Sequence, residues 1–378
     1  MRQAPLQGRA GYLLLEDGRR FDGIYLGPLE GSCGEAVFTT VHAGYEEVLT
    51  DPSFAGQVVV MTAPEIGVYG MRAGDAQSRR PWVAGFVVRH LSRGSGSRPG
   101  EGTLAGYLER HAIPTLMEAD TRAITRHIRE AGAMRALVAP ASVGEAEARE
   151  SLQGTPEMSG RDLASTVTCR ESYEIRPAAG ERGQVLCLDY GVKRRSLELL
   201  QREGFRVRVL PATTPIEELR SVEAAGLFVS NGPGDPEAVP GAVERIRALS
   251  DAGLPVFGIC LGHQLVARAF GGHNFKLPYG HRGGNHPVKN LETDRVEITS
   301  QNHGFAVAEE EGRVAGAPEL VITHRNLNDG TIEGLRHRRR PVFAVQYHPE
   351  SAPGPHDSRY LFRHFVSAID GTDATARG

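Results

Sequence analysis

The sequence predicts an α/β protein in two parts, a β-rich mixed α/β domain followed by a domain built on a helix-covered parallel sheet. Three observations carry this. From residue 184 onward, short apolar runs alternate with segments of helical period, the pattern of strand–helix–strand units. Before residue 140, strand-length apolar runs dominate and helix is sparse. Between Ser142 and Gly183 the chain turns polar and rich in Glu and Arg, reading as a short helix and then a linker. The expected division is therefore 1–150, a linker over 151–183, and 184–370.

In the first part, Tyr12–Phe21 reads as a hairpin about Asp17-Gly18. Gln57–Met61 and Trp82–Val88 read as further strands. Asp120 is a suitable N-cap for a helix over Thr121–Ala131, and Gly132 a suitable stop. Ala136–Ala139 closes the domain as a strand, and Arg93–Gly102 reads as an exposed loop. In the second part, strands are expected at Val185–Asp189, Arg206–Leu210, Gly226–Ser230 and Leu254–Phe257. Helices are expected at Arg195–Glu203, Pro215–Val222, Ala242–Leu249 and His263–Phe270. Val342–Val345 is a further buried strand.

The 378 residues suffice for two cores. A net charge of −3 gives no basic excess for nucleic acid. Lysine stands only at 193, 276 and 289, which reads as a compositional bias and not a site. Cys33, Cys169, Cys187 and Cys260 have no C-x-x-C spacing, which argues against a disulfide framework or a cysteine zinc site. No apolar stretch approaches transmembrane length, and the N-terminus lacks the apolar core of a signal peptide, so a cytoplasmic location is expected.

The most informative feature is Gly258-Ile259-Cys260-Leu261-Gly262, between an apolar strand and a helix. This is the setting of a nucleophile elbow, with Cys in place of the usual Ser. Helix N-terminal N–H groups facing the sulfur favour its thiolate. Far downstream, Val342–Val345 leads into Gln346-Tyr347-His348-Pro349-Glu350. Pro349 biases His348 to extended backbone, where His348 and Glu350 point to the same side. A carboxylate can then hold an imidazole in one tautomer while its other nitrogen serves a thiol. Both features fall at strand C-terminal ends, where reactive groups of parallel sheets gather.

Other candidates surround these. Ser230-Asn231-Gly232-Pro233-Gly234 leaves the preceding strand and is either an ordinary turn or a second source of oxyanion donors beside the Leu261 N–H. Gln301-Asn302-His303-Gly304-Phe305 reads as a polar turn that binds substrate or only shapes the chain. Gln264 could read an amide or lie solvated on its helix. His273, His281 and His286 crowd a Gly-rich stretch, but their spacing matches no strong metal pattern. No phosphate-binding glycine motif of the P-loop or dinucleotide type is present.

The cysteine elbow, the distant His-Pro-Glu and the Gly-rich turn resemble the class I glutamine amidotransferases. Gly280–Val288, Ser300–Val307 and the tail Gln346–Asp357 extend the resemblance to the small subunits of carbamoyl-phosphate synthetases. So does Gly44–Ser53 with Asp120–Arg126, in a first domain that other class I amidotransferases lack. The resemblance implies a flavodoxin-like second domain and a glutamine-hydrolysing subunit that feeds ammonia to a large synthetase subunit. It also implies service to biosynthesis of arginine, of pyrimidines or of both. Cys260 would be the nucleophile, His348 the base and acid, and Glu350 its orienter. Ser53, Gly232, Gly234, Leu261, Gln264, Asn302, Gly304 and Phe305 would line the glutamine pocket. No cofactor or metal is expected in this chain; ATP and metal are expected on the large subunit. No nucleic acid or membrane partner is expected. Two other readings remain at this point, a silent regulatory scaffold and a free-standing γ-glutamyl hydrolase. Labelling of Cys260 by a glutamine-like electrophile, and activity without a partner, distinguish them.

Overall fold

The computed structural model describes residues 8–72, 74–92, 94 and 102–372. The chain divides into two compact units, one of residues 1–161 with 278–282, the other of 162–277 with 283–378.

The first unit is a closed barrel of seven strands. In spatial order they are Arg9–Leu15, Arg20–Leu26, Thr115–Met117, Gly85–Val87, Gln57–Met61, Ser32–Thr39 and Met134–Pro140. Closure leaves no exposed sheet edge in these strands. The first two strands pair antiparallel about the Asp17-Gly18 turn, as the sequence predicts, with Gly18 at φ 88°. Alternate residues serve two cores. Leu13, Leu15, Val58, Val60 and Val138 pack with Ile124 and Ile128, whereas Val37, Val59, Met61 and Phe86 pack with Val48, Leu49, Leu104 and Leu108. The helix Thr121–Ala131 runs as predicted, its N-terminus capped by the Asp120 carboxylate accepting from Ala123 N at 3.0 Å. The strand expected over Trp82–Val88 is confined to Gly85–Val87; Val83 makes only an isolated bridge to Ala55. The loop expected at Arg93–Gly102 lies, but for residues 94 and 102, outside the described residues.

In the second unit, strands Phe205–Pro211, Gly183–Asp189, Gly226–Val229, Val256–Ile259 and Val342–Val345 lie side by side in that order, all parallel. Antiparallel strands continue the sheet on both sides. Leu186, Leu188, Leu227 and Val229 face one core with Ile246 and Leu265. Val185, Cys187, Phe228 and Phe257 face the other with Leu197, Leu200, Phe362 and Phe365. Both faces are covered, so these strands are apolar throughout. The helices Arg194–Arg202, Ile216–Ser221, Ala242–Asp251 and Leu261–Ala269 fall within a few residues of their predicted bounds. The polar stretch after Ser142 holds the helix Glu145–Gly154, which belongs to the first unit, and then a helical turn at Ala164–Val167 and the strand Tyr173–Ile175, which belong to the second.

One expectation is corrected. Gln301–Phe305 is not a turn but the middle of a 13-residue strand, Arg295–Val307. Its polar residues are buried, and a hydrogen-bonded strand accepts them because their side chains find partners inside the protein. The Gly-rich histidine stretch is likewise part of a long strand, Asn274–Asn290. Among the described residues, no helix is long and apolar enough to cross a membrane.

Candidate active site

Cys260 ends the strand Val256–Ile259 and begins the helix Leu261–Ala269. Its backbone stands at φ 55°, ψ −105°, a conformation that costs a non-glycine residue about 1–3 kcal/mol and persists only where surroundings enforce it. They do so here. The Cys260 N–H donates to Val345 O at 2.9 Å, and the Cys260 carbonyl accepts the first helical bond from Gln264 N. A Cβ at Gly262 would stand 2.1 Å from Val229 O, and one at Gly258 2.7 Å from Gly262 O. The two glycines therefore allow the helix to start hard against the sheet. The sulfur is buried and lies 3.5 Å from Asn302 O.

His348 follows the neighbouring strand Val342–Val345, and its N–H donates to Ser300 O at 2.8 Å. Its Nδ1 lies 2.7 Å from Glu350 Oε1, and both side chains are buried. Among the described residues, the buried Nε2 makes no hydrogen bond of ordinary length. Burial is the strongest single influence and opposes the imidazolium, but the Glu350 charge together with charge and hydrogen bonding at the Cys260 sulfur outweighs it and raises the pKa to about 10. Burial likewise opposes ionisation of Glu350. The Lys193 ammonium, and then His348, overcome this and hold its carboxyl well below the usual carboxylate range.

Lys193 is the residue that sequence reasoning missed. Its Nζ lies 2.8 Å from Glu350 Oε1, and it is almost wholly buried. It stands just before the helix Arg194–Arg202, in the loop that follows strand Gly183–Asp189. That loop is laced to the next. Tyr190 N donates to Ser230 Oγ at 2.9 Å, Asn231 Nδ2 to Gly191 O at 2.9 Å, and Lys193 N to Asn231 Oδ1 at 3.3 Å. The one signal available was the scarcity of lysine itself in an Arg-rich chain.

The other expected residues are placed as follows. A Cβ at Gly232 would stand 2.1 Å from Tyr190 O and 2.8 Å from the Leu261 side chain, so its backbone packs directly beside the start of the Cys260 helix. Gly234, two residues on, has φ 92°, a left-handed value that suits glycine. Gln264 is buried, not solvated, and its Nε2 donates to Phe305 O at 2.8 Å and Gln346 Oε1 at 3.1 Å. Asn302, Gly304 and Phe305 thus lie on the strand that meets both Cys260 and Gln264. Ser53 belongs to the first unit, in the turn Pro52–Phe54, where its N–H donates to Asp51 Oδ1 at 2.9 Å. Of the crowded histidines, His281 groups with the first unit, and His273 and His286 with the second.

A strained cysteine at a helix start, an imidazole beside it and a carboxylate on that imidazole form the equipment for acyl transfer by a thiol. The class-I glutamine amidotransferase family model matches residues 186–368. That of the carbamoyl-phosphate synthase small chain, CPSase domain, matches residues 13–138. The carbamoyl phosphate synthase small chain of Symbiobacterium thermophilum is 46% identical over 368 residues, which cover 96% of this chain and 99% of that protein. Those of Thermus thermophilus and Streptomyces coelicolor are each 44% identical, covering 95% and 96% of this chain and 93% and 96% of theirs. Likeness of this degree along nearly the whole of both partners means that the chain belongs to the carbamoyl phosphate synthase small-chain family, with a class-I glutamine amidotransferase domain in its second unit.

Proposed function

We propose that this chain hydrolyses glutamine to glutamate and ammonia and delivers the ammonia to a carbamoyl-phosphate synthase large subunit. The Cys260 thiol gives its proton to His348, and its sulfur attacks the side-chain amide carbon. The N–H groups of Leu261 and Gly232 receive the developing oxyanion. The carbon–nitrogen bond breaks as His348 gives its proton to the departing nitrogen, leaving a γ-glutamyl thioester on the sulfur. Water then loses a proton to His348, its oxygen attacks the thioester carbon, and glutamate and the free sulfur result. Glu350 holds the imidazole throughout. Gln264, Asn302, Gly304, Phe305, Gly234 and Ser53 are assigned to glutamine binding.

The observation that carries this reading is the buried His348–Glu350 pair at 2.7 Å beside Cys260, within a domain of the amidotransferase family. The parallel order of the five strands supports reading that domain as flavodoxin-like. We retain 1–150 and 184–370 as its two functional domains, joined by 151–183. The large subunit would supply ATP and metal chemistry, with no cofactor in this chain. The product would serve arginine and pyrimidine biosynthesis in the cytoplasm.

The test is ammonia release from glutamine by the purified chain, alone and with a carbamoyl-phosphate synthase large subunit. A low rate that rises with the partner is expected. A full rate that ignores the partner indicates a free-standing hydrolase, and no release in either case indicates a scaffold.

A further inference from the structure

A buried carboxylate outside the triad sits one residue's reach from it. Glu297 lies on the strand Arg295–Val307 and is 7% exposed. Its Oε1 accepts from Tyr360 Oη at 2.8 Å, and its Oε2 lies 3.5 Å from Tyr347 Oη, the outer limit of a hydrogen bond. Tyr347 is fully buried, so its hydroxyl needs an acceptor, and this carboxylate is within reach. Asn290 Nδ2 donates to Tyr360 Oη at 3.0 Å and completes the cluster.

The position of the cluster gives it meaning. Tyr347 stands between Gln346, which accepts from Gln264, and His348. Three residues along the strand from Glu297, Ser300 O receives the His348 N–H. Two further on, Asn302 O faces the Cys260 sulfur. One strand thus meets both reacting residues, His348 through its backbone N–H and Cys260 through its sulfur, and Glu297 fixes that strand against the residue beside His348. Tyr360 ties the same carboxylate to the helix Tyr360–Ile369, whose Phe362 and Phe365 pack on Phe257 of the strand leading to Cys260, at 5.6 and 5.7 Å between ring centres.

We propose that Glu297 is a positioning residue for the thiol chemistry, its carboxylate, held between the Tyr347 and Tyr360 hydroxyls, setting the register of the strand Arg295–Val307 against His348 and Cys260. The inference rests on the Cys260–His348–Glu350 reading above. It does not require Glu297 to touch glutamine.

Three variants test it in the complex with the large subunit. Glu297→Leu removes the acceptor at similar volume, Glu297→Gln keeps an acceptor of the same shape, and Tyr347→Phe deletes one hydroxyl while leaving the ring packed. Misplacing reacting groups by about 1 Å can cost ~100-fold, so Glu297→Leu and Tyr347→Phe are expected to lower kcat for glutamine hydrolysis by about 10- to 100-fold. KM for glutamine should stay close to wild type, Glu297→Gln should largely restore kcat, and synthesis from added ammonia should not change. If Glu297→Leu fails to fold, Tyr347→Phe decides alone. Wild-type kcat in the folded variants, even with a lowered melting temperature, overturns the inference and assigns the cluster to stability only. Cys260→Ala is the companion control. If it hydrolyses glutamine as wild type does, the triad reading falls, and this inference with it.

Discussion

Lys193 and His348 share one oxygen: Glu350 Oε1 lies 2.8 Å from the ammonium and 2.7 Å from the imidazole Nδ1, with all three side chains buried. The carboxylate is therefore neutralised from two sides. Both cations, Lys193 first, oppose the burial that would otherwise raise its pKa.

Replacing Lys193 by Met should destabilise the protein by about 3–5 kcal/mol, the usual cost of removing one member of a buried ion pair. Its electrostatic effect has a definite sign. The Lys193 charge lowers the pKa of His348, so removing it raises that pKa above the present value of about 10. The alkaline limb of Cys260 alkylation by iodoacetamide should move to higher pH in the variant. A limb that stays in place would mean that Lys193 is electrically remote from the imidazole.

Replacing Cys260 by Ala should abolish glutamine-dependent carbamoyl phosphate synthesis and spare synthesis from added ammonia. Losing a nucleophile in a protease triad costs about 10⁶ in turnover, which sets the scale expected in a glutaminase assay. Collapse of the ammonia-dependent rate as well would contradict the division of labour between the two subunits.

Gly262→Ala tests the elbow without touching a reactive group. Its methyl would stand 2.1 Å from Val229 O, which is backbone and cannot swing aside. Overpacking of this kind costs about 1–3 kcal/mol or more, and the helix start must shift. Thermal denaturation and the alkylation rate of Cys260 should both fall. Wild-type values of the two together would show that the elbow tolerates displacement.

Acid should weaken the fold before the carboxylates titrate. Burial lowers the pKa of His263 to about 3 and that of His324 to about 4. Unfolded, each titrates near ~6.5. The unfolded chain thus binds more protons in that window, and stability falls as pH drops below ~6.5, by up to about 1.4 kcal/mol per pH unit for each histidine. His348, with its raised pKa, acts oppositely: its contribution is complete below ~6.5 and is lost as pH rises through about 10. Urea unfolding between pH 7.5 and 4.5 should show the acid slope, and His324→Asn should reduce it. An unchanged slope in that variant would exclude His324 as a source.

Much of the site was legible because it is written in local code. Two glycines around Cys260, an apolar run before it and a helical period after it specify an elbow within a dozen residues. Pro349 does the same for the His348–Glu350 spacing, and Asp120 and Gly132 for the bounds of the helix Thr121–Ala131. Lys193 was illegible because its meaning lies in tertiary structure. Nothing in Gly191-Val192-Lys193 announces a buried ammonium, and its partner is far along the chain. Gln301–Phe305 misled for the opposite reason. Polar residues around a glycine look like a turn, and only partners such as Glu333, which accepts from Gln301 Nε2 at 2.9 Å, make a buried strand of them.

The pairing of Val256–Ile259 with Val342–Val345 also orders events in time. During synthesis the thiol emerges long before the imidazole that it faces. The last parallel strand must be threaded beside the cysteine's own strand before His348 is near the sulfur, a non-local step of the kind that slows folding. On the proposed reading Cys260 lacks its base until then, so a nascent or truncated chain would not hydrolyse glutamine. Glutaminase activity would then be one of the last properties the fold acquires.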